Sequence, residues 1–142
     1  MDDDTYSARF VPVFDLDDDT RNQMVRIYLA SYDGSSESTF LGDLATKDEV
    51  LLVRAAGELV GFTTLRVFDR VWHDGRVRVV YSGDTVIERA HWGQQSLAFA
   101  WISRMGALKR EYPDTPLFWF LLVKGHRTFR YLPVFGKSFY PH

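Results

Sequence analysis

The feature that most constrains this chain is a change of period with almost no loop in between. Arg76–Gly93, RVRVVYSGDTVIERAHWG, reads as an extended segment. Gln94–Lys109, QQSLAFAWISRMGALK, reads as an amphipathic helix whose core-facing stripe is Leu97, Trp101, Met105 and Leu108. A strand that feeds directly into a helix leaves the helix's first backbone N–H groups unpaired and pointing outward, a ready site for phosphate or another anion. The junction His91-Trp92-Gly93-Gln94-Gln95-Ser96 is therefore the first place to look for a ligand.

With 142 residues, 46% of them hydrophobic, the chain is expected to form a single domain over 1–142. A domain of that size buries about two-thirds of its unfolded surface and needs no covalent staples. It has no cysteine, which excludes disulfides, thiolate metal sites and a cysteine nucleophile, and which fits the cytoplasm. The N-terminus, MDDDTYSAR, is acidic and lacks an apolar run. It reads as neither a signal nor a transit peptide, and no segment approaches membrane-spanning length. A net charge of −2 argues against a nucleic-acid surface. The basic residues Lys124, Arg127, Arg130 and Lys137 lie among aromatics, open either to a phosphate-bearing ligand or to a solvated face that balances the acidic N-terminus.

Along the chain, Ala8–Phe14 alternates as a short first strand, with Pro12 suited to an edge. Thr20 and Gln23 have the spacing of a capping box behind the acidic run Asp17-Asp18-Asp19, and apolar residues then recur at helical spacing to about Tyr32. A shorter helix is expected over Ser38–Ala45. Glu49–Ala55 and Leu59–Phe68 flank the turn Ala56-Gly57-Glu58 as a hairpin, and Val71–Gly75 makes a second turn into the long extended segment. After the helix, Tyr112-Pro113-Asp114-Thr115-Pro116 breaks the chain. Leu117–Val123 is apolar enough to be a central strand covered on both faces.

This order (strand, two helices, three antiparallel strands, helix, buried strand) resembles the GNAT N-acetyltransferase superfamily. The resemblance implies an α/β (α+β) fold with a mixed, largely antiparallel sheet flanked by helices. In that family the fourth strand splays from the fifth to admit the pantetheine arm of an acyl-CoA, and the strand-to-helix loop binds the pyrophosphate. The family's loop, roughly [Q/R]-x-x-G-x-[G/A], corresponds here to Ala90-His91-Trp92-Gly93-Gln94-Gln95. The central glycine is kept, Ala90 replaces the long polar residue and Gln95 the small one. The resemblance implies acetyl-CoA or another acyl-CoA, held by Val86, Ile87, Gly93, Gln94, Gln95 and Ser96. Tyr131 corresponds to the family's tyrosine acid, since a phenol is protonated at neutral pH yet can donate to a departing thiolate.

A base must take the acceptor's proton, and Asp84 and His91 are the candidates, the imidazole being already in range. Asp84 also reads as part of a Ser82-Gly83-Asp84 bulge. Tyr32, Trp92 and Trp119 are candidate substrate contacts. The expected reaction moves an acyl group from a thioester, on CoA or an acyl-carrier protein, to a small-molecule amine. One alternative is a CoA-independent rearrangement or cyclisation in an apolar pocket lined by Trp92, Phe118, Trp119 and Phe120. Another is a non-catalytic binding or dimerisation module. The aromatic tail Tyr131–His142 favours a homodimer, and the scattered histidines give no metal-site spacing.

Overall fold

Two tight turns set the register of the sheet. In the computed structural model, which describes residues 5–121, Ala56 and Gly57 join β2 (Glu49–Ala55) to β3 (Glu58–Trp72), and His73 and Asp74 join β3 to β4 (Gly75–Ile87). All four turn residues have positive φ, from 48° to 85°. That is the two-residue hairpin geometry whose twist matches the strands it joins. Strand pairing therefore starts closer to each turn than expected, with Glu58 and Trp72 inside β3.

β1 (Tyr6–Pro12) lies on the outer edge of β2, and β5 (Leu117–Leu121) lies beside β4, giving the order β1-β2-β3-β4-β5. The first four strands are antiparallel and β5 runs parallel to β4. β1 is shifted towards the N-terminus relative to Ala8–Phe14, because Val13–Asp15 turns into a short 3₁₀ segment at Pro12. Alternation of side chains gives the sheet two apolar faces. α1 (Asp18–Ser31) and α2 (Glu37–Leu44) pack Met24, Tyr28, Phe40 and Leu44 against Val50, Leu52, Phe62 and Val86 on one face. α3 (Ser96–Glu111) packs Leu97, Trp101 and Leu108 against Leu51, Val53, Leu65 and Val80 on the other. Among the described residues, no helix is long and apolar enough to cross a membrane.

Three expectations about the elements change. The α1 cap is Asp17, whose carboxylate accepts from Thr20 N at 2.7 Å, while Gln23 Nε2 donates to Asp19 Oδ2 at 2.7 Å. Thr20 is already helical and buried, so the extended Asp17 just before the helix is the residue placed to receive the first N–H groups. The extended segment ends at Ile87, not Gly93: a 3₁₀ turn over Arg89–His91 closes on Glu88 O, and residues 88–95 form a true connector to α3. Finally, β5 is not covered on both faces by described residues. Leu117 and Trp119 pack under α3, whereas Phe118 and Phe120 remain half exposed on the opposite face.

The third strand pair holds the irregularity that matters most. Its register moves between Thr63↔Thr85 and Leu65↔Ser82, so Gly83 and Asp84 both lie opposite Thr64 in a β-bulge. The described pairing of β4 with β5 runs from Arg78↔Leu117 to Ser82↔Leu121, and β4 continues over residues 83–87.

Candidate active site

The bulge forms where side chains leave room for it. A β-carbon on Gly83 would meet Thr64 Oγ1 and lie 2.7 Å from Lys47 Cε, so any larger residue would have to push these side chains aside. Lys47 follows α2 and is buried beneath this point. Its ammonium pairs with Asp43 Oδ2 at 3.0 Å, donates to Thr46 Oγ1 at 3.2 Å and sits 5.2 Å from the Tyr81 ring centroid. The lysine thus braces the bulge from behind while its charge is satisfied by α2. Nothing in the sequence pattern singles out Lys47, because a lone lysine between a helix and a strand carries no periodic signal.

Beyond the bulge the main chain of β4 has a fixed polarity. Glu88 N donates to Val60 O at 2.8 Å. Antiparallel ladders alternate, so the backbone groups of Val86 point to β3, whereas those of Thr85 and Ile87 point away from it. Of the two expected donors on this strand, Ile87 therefore presents its amide to the outer edge and Val86 does not; Thr85 is the second outward amide. Side chains take both outward carbonyls. Tyr32 Oη donates to Thr85 O at 3.0 Å, and Trp92 Nε1 donates to Ile87 O at 2.8 Å. On the near side of the bulge, Trp119 Nε1 donates to Ser82 Oγ at 3.0 Å.

The three aromatic residues expected to contact substrate are thus gathered along β4 at positions 82, 85 and 87, with half-buried Asp84 between them. No residue-type signal marks Thr85 in the sequence, because its value lies in its main chain, while its hydroxyl is engaged with Thr63 Oγ1 at 2.7 Å. His91 lies elsewhere. Its Nδ1 is 2.9 Å from the hydroxyl of Tyr6, with the two rings in edge contact, which ties the connector to the far edge strand β1. Tyr131 lies outside the described residues.

The start of α3 is partly filled by the chain itself. Gln94 Oε1 accepts from Leu97 N at 3.2 Å, and the N–H groups of His91 and Trp92 close the 3₁₀ turn. Gly93, at φ 96°, has open space where a β-carbon would be, and Gln95 is exposed. The expected row of unpaired amides is therefore shortened, because the connector folds on itself instead of passing straight from strand to helix. Strand alternation also separates Trp119 from Phe118 and Phe120, so the four aromatics named for an apolar pocket do not line one cavity.

At the opposite end of β4 lies a cleft of about 1080 Å³, bordered by Asp48, Val67, Arg76, Arg78, Arg104 and Tyr112. Its cations are already engaged: Arg104 with Glu49 at 2.9 Å, Arg78 with Glu111 at 3.5 Å, and Arg76 with Asp69. The Asp69 bond holds the Arg76 guanidinium above its ordinary range.

No family model and no curated protein matches the sequence. Solved structures do match the fold. A ribosomal-protein-alanine N-acetyltransferase from Brucella melitensis biovar Abortus 2308 aligns with a TM-score of 0.66 at 16% identity, covering 94% of this chain and 92% of its own. The aminoglycoside acetyltransferase meta-AAC0020 from an uncultured soil metagenomic sample aligns at 0.64 and 16% identity, covering 96% and 91%. The aminoglycoside 6'-N-acetyltransferase AAC(6')-IG from Acinetobacter haemolyticus aligns at 0.65 and 9% identity, covering 92% and 91%. The chain therefore has the GNAT N-acetyltransferase fold, an α/β mixed sheet that is mostly antiparallel and, among the described residues, flanked by three α-helices.

Proposed function

We propose that this chain is an acyltransferase that lays an acyl thioester along the outer edge of β4 and passes the acyl group to a small-molecule amine. The observation that carries this reading is the polarity of residues 85–87. Beside a bulge, the amides of Thr85 and Ile87 face away from β3, along the edge where donors to a thioester carbonyl would be needed. The acetyltransferases that share the fold support the reaction class.

The residues of this edge fit a thioester arm better than the start of α3 fits a diphosphate, since Gln94 already occupies the Leu97 amide. The donor, CoA or an acyl-carrier protein, supplies the activated acyl group. Ile87 and Thr85 polarise its carbonyl, and Tyr32, Trp92 and Trp119 wall the edge. Gly93, Gln95 and Ser96 border the donor's outer end. Asp84 accepts the proton of the attacking amine, whose nitrogen bonds to the carbonyl carbon as the carbon–sulfur bond breaks. Tyr131 returns a proton to the departing sulfur. His91, held by Tyr6, orients the connector and is the second choice as base. We further infer a cytoplasmic homodimer from the cysteine-free composition and the aromatic tail.

Titration calorimetry with acetyl-CoA, a longer acyl-CoA and an acyl-carrier protein tests the reading, with a thermal shift as the cross-check, since a ligand of the native state raises stability. Binding on the order of micromolar, about −8 kcal/mol, is the expected result. Asp84→Asn and Tyr131→Phe should then lower acyl transfer to amines by about 10²–10⁴-fold, the usual weight of general acid–base groups. Failure of every thioester to bind would leave a non-catalytic module as the better reading.

A further inference from the structure

β3 outruns its neighbour. β2 enters the sheet at Glu49, opposite Leu65, so among the described residues the stretch 66–72 of β3 is paired with β4 alone. Its even-numbered residues turn their main-chain groups to β4, since Glu88 N bonds to Val60 O at one end and Trp72 and Gly75 close the hairpin at the other. The main-chain groups of Val67, Asp69 and Val71 therefore point to the side that β2 has left. The chain's own side chains meet two of them: Asp48 Oδ2 accepts from Val67 N at 2.7 Å, and Arg70 Nη1 donates to Asp69 O at 2.9 Å. Val67 O, the Asp69 amide and both groups of Val71 have no partner among the described residues.

Side chains give this edge a charge. Arg66, Phe68 and Arg70 share one face of β3, and the two exposed guanidinium carbons lie 5.1 and 4.5 Å from the Phe68 ring centroid. Arg66 and Arg70 enter no ion pair among the described residues, whereas Arg76 and Arg78 of β4 are both paired. The cleft of about 1080 Å³ borders this edge, with Val67, Phe68 and Asp69 in its wall.

We propose that the outer edge of β3 over residues 67–71 is a docking site for an extended acidic peptide, which adds to the sheet as a strand in the place that β2 leaves. Main-chain pairing with Asp69 and Val71 holds such a strand, and side chains at every second position choose it. Carboxylates on the face shared with Arg66 and Arg70 find cations that no acid of the chain neutralises, while a strand carrying lysine there is repelled. The site lies at the opposite end of β4 from the bulge and does not depend on the thioester reading.

A synthetic peptide of alternating glutamate and valine, titrated into the full chain by calorimetry, is the probe. It should bind with a dissociation constant on the order of 10 μM, and a lysine–valine peptide should not bind at about 1 mM. At saturation the Asp69 and Val71 amides should exchange at least about tenfold more slowly, which attraction between charges alone would not produce. The double change Arg66→Gln and Arg70→Gln, at two exposed positions, should weaken binding roughly tenfold. No binding of the glutamate peptide, equal binding of the lysine peptide, unchanged affinity in the double variant, or amides that stay unprotected at saturation would each overturn the proposal. A single-stranded thymidine oligonucleotide that displaces the peptide and leaves those amides unprotected would overturn it in favour of a nucleic-acid surface.

Discussion

The two halves of β4 are built from the same strand but held in different ways. From Arg78 to Ser82 the strand is laced to β3 on one side and β5 on the other, main chain to main chain. From Thr85 to Ile87 it keeps β3, and its outward carbonyls are taken by a tyrosine and a tryptophan side chain. A ladder closes a strand to newcomers, because every donor and acceptor is engaged with a neighbour whose own position is fixed. Side-chain caps satisfy the same groups yet can be exchanged for a ligand's. The bulge at Gly83 and Asp84 lies between the two stretches, where the extra residue breaks the β3 ladder and reverses which residues of β4 face away from β3.

The largest test of this comparison is removal of what supports the capped half from below. Phe62 is fully buried, faces Val86 across the ladder and lies 5.7 Å from Phe40. Phe62→Ala should cost about 3–5 kcal/mol of stability, measured by urea denaturation. Amide hydrogen exchange then compares the halves directly. Val80, in the laced half, should exchange about a hundredfold or more slowly than Thr85 and Ile87, whose outward amides have no main-chain partner among the described residues. Equal protection would mean that the capped edge is laced as well.

Glycine substitutions sharpen the boundary itself. Alanine at Gly61 would bring its β-carbon against Ile87 Cδ1 and within 2.6 Å of Val86 O, a backbone atom. At Gly83 the obstacles are side chains, Thr64 Oγ1 and the Lys47 stem. Both changes should destabilise by about 1–3 kcal/mol, Gly61→Ala more than Gly83→Ala, in paired thermal melts. The smallest effect lies far from β4 and serves as a control. The Thr20 N–H holds the exposed Asp17 carboxyl below its ordinary value of 3.8. A lowered folded-state value contributes stability that is present above 3.8 and is lost as pH falls through the folded value. Asp17→Asn should flatten that acid limb in a pH series of melts and leave the Thr85 and Ile87 exchange unchanged.

The chain's own periodicity determined the order and type of its elements. Apolar residues at helical spacing between Met24 and Tyr32, alternation through the two hairpins and the stripe from Leu97 to Leu108 all recur as the two packed faces of the sheet. Such patterns are local, and burial of one face enforces them. The bulge was also legible in Ser82-Gly83-Asp84, a strand interrupted by a glycine beside an acidic residue. Tyr32, Trp92 and Trp119 were legible only as residue types suited to a ligand. That all three reach β4 depended on helix packing, on the fold of the connector and on the β5 register. The same tertiary contacts turned His91 towards Tyr6, drew Gln94 onto the start of α3 and buried Lys47 behind Gly83. Local sequence set where the backbone extends or coils. Which outward carbonyls of β4 are taken was decided by side chains placed by the fold, Tyr32 from 53 residues away and Trp92 from the folded connector.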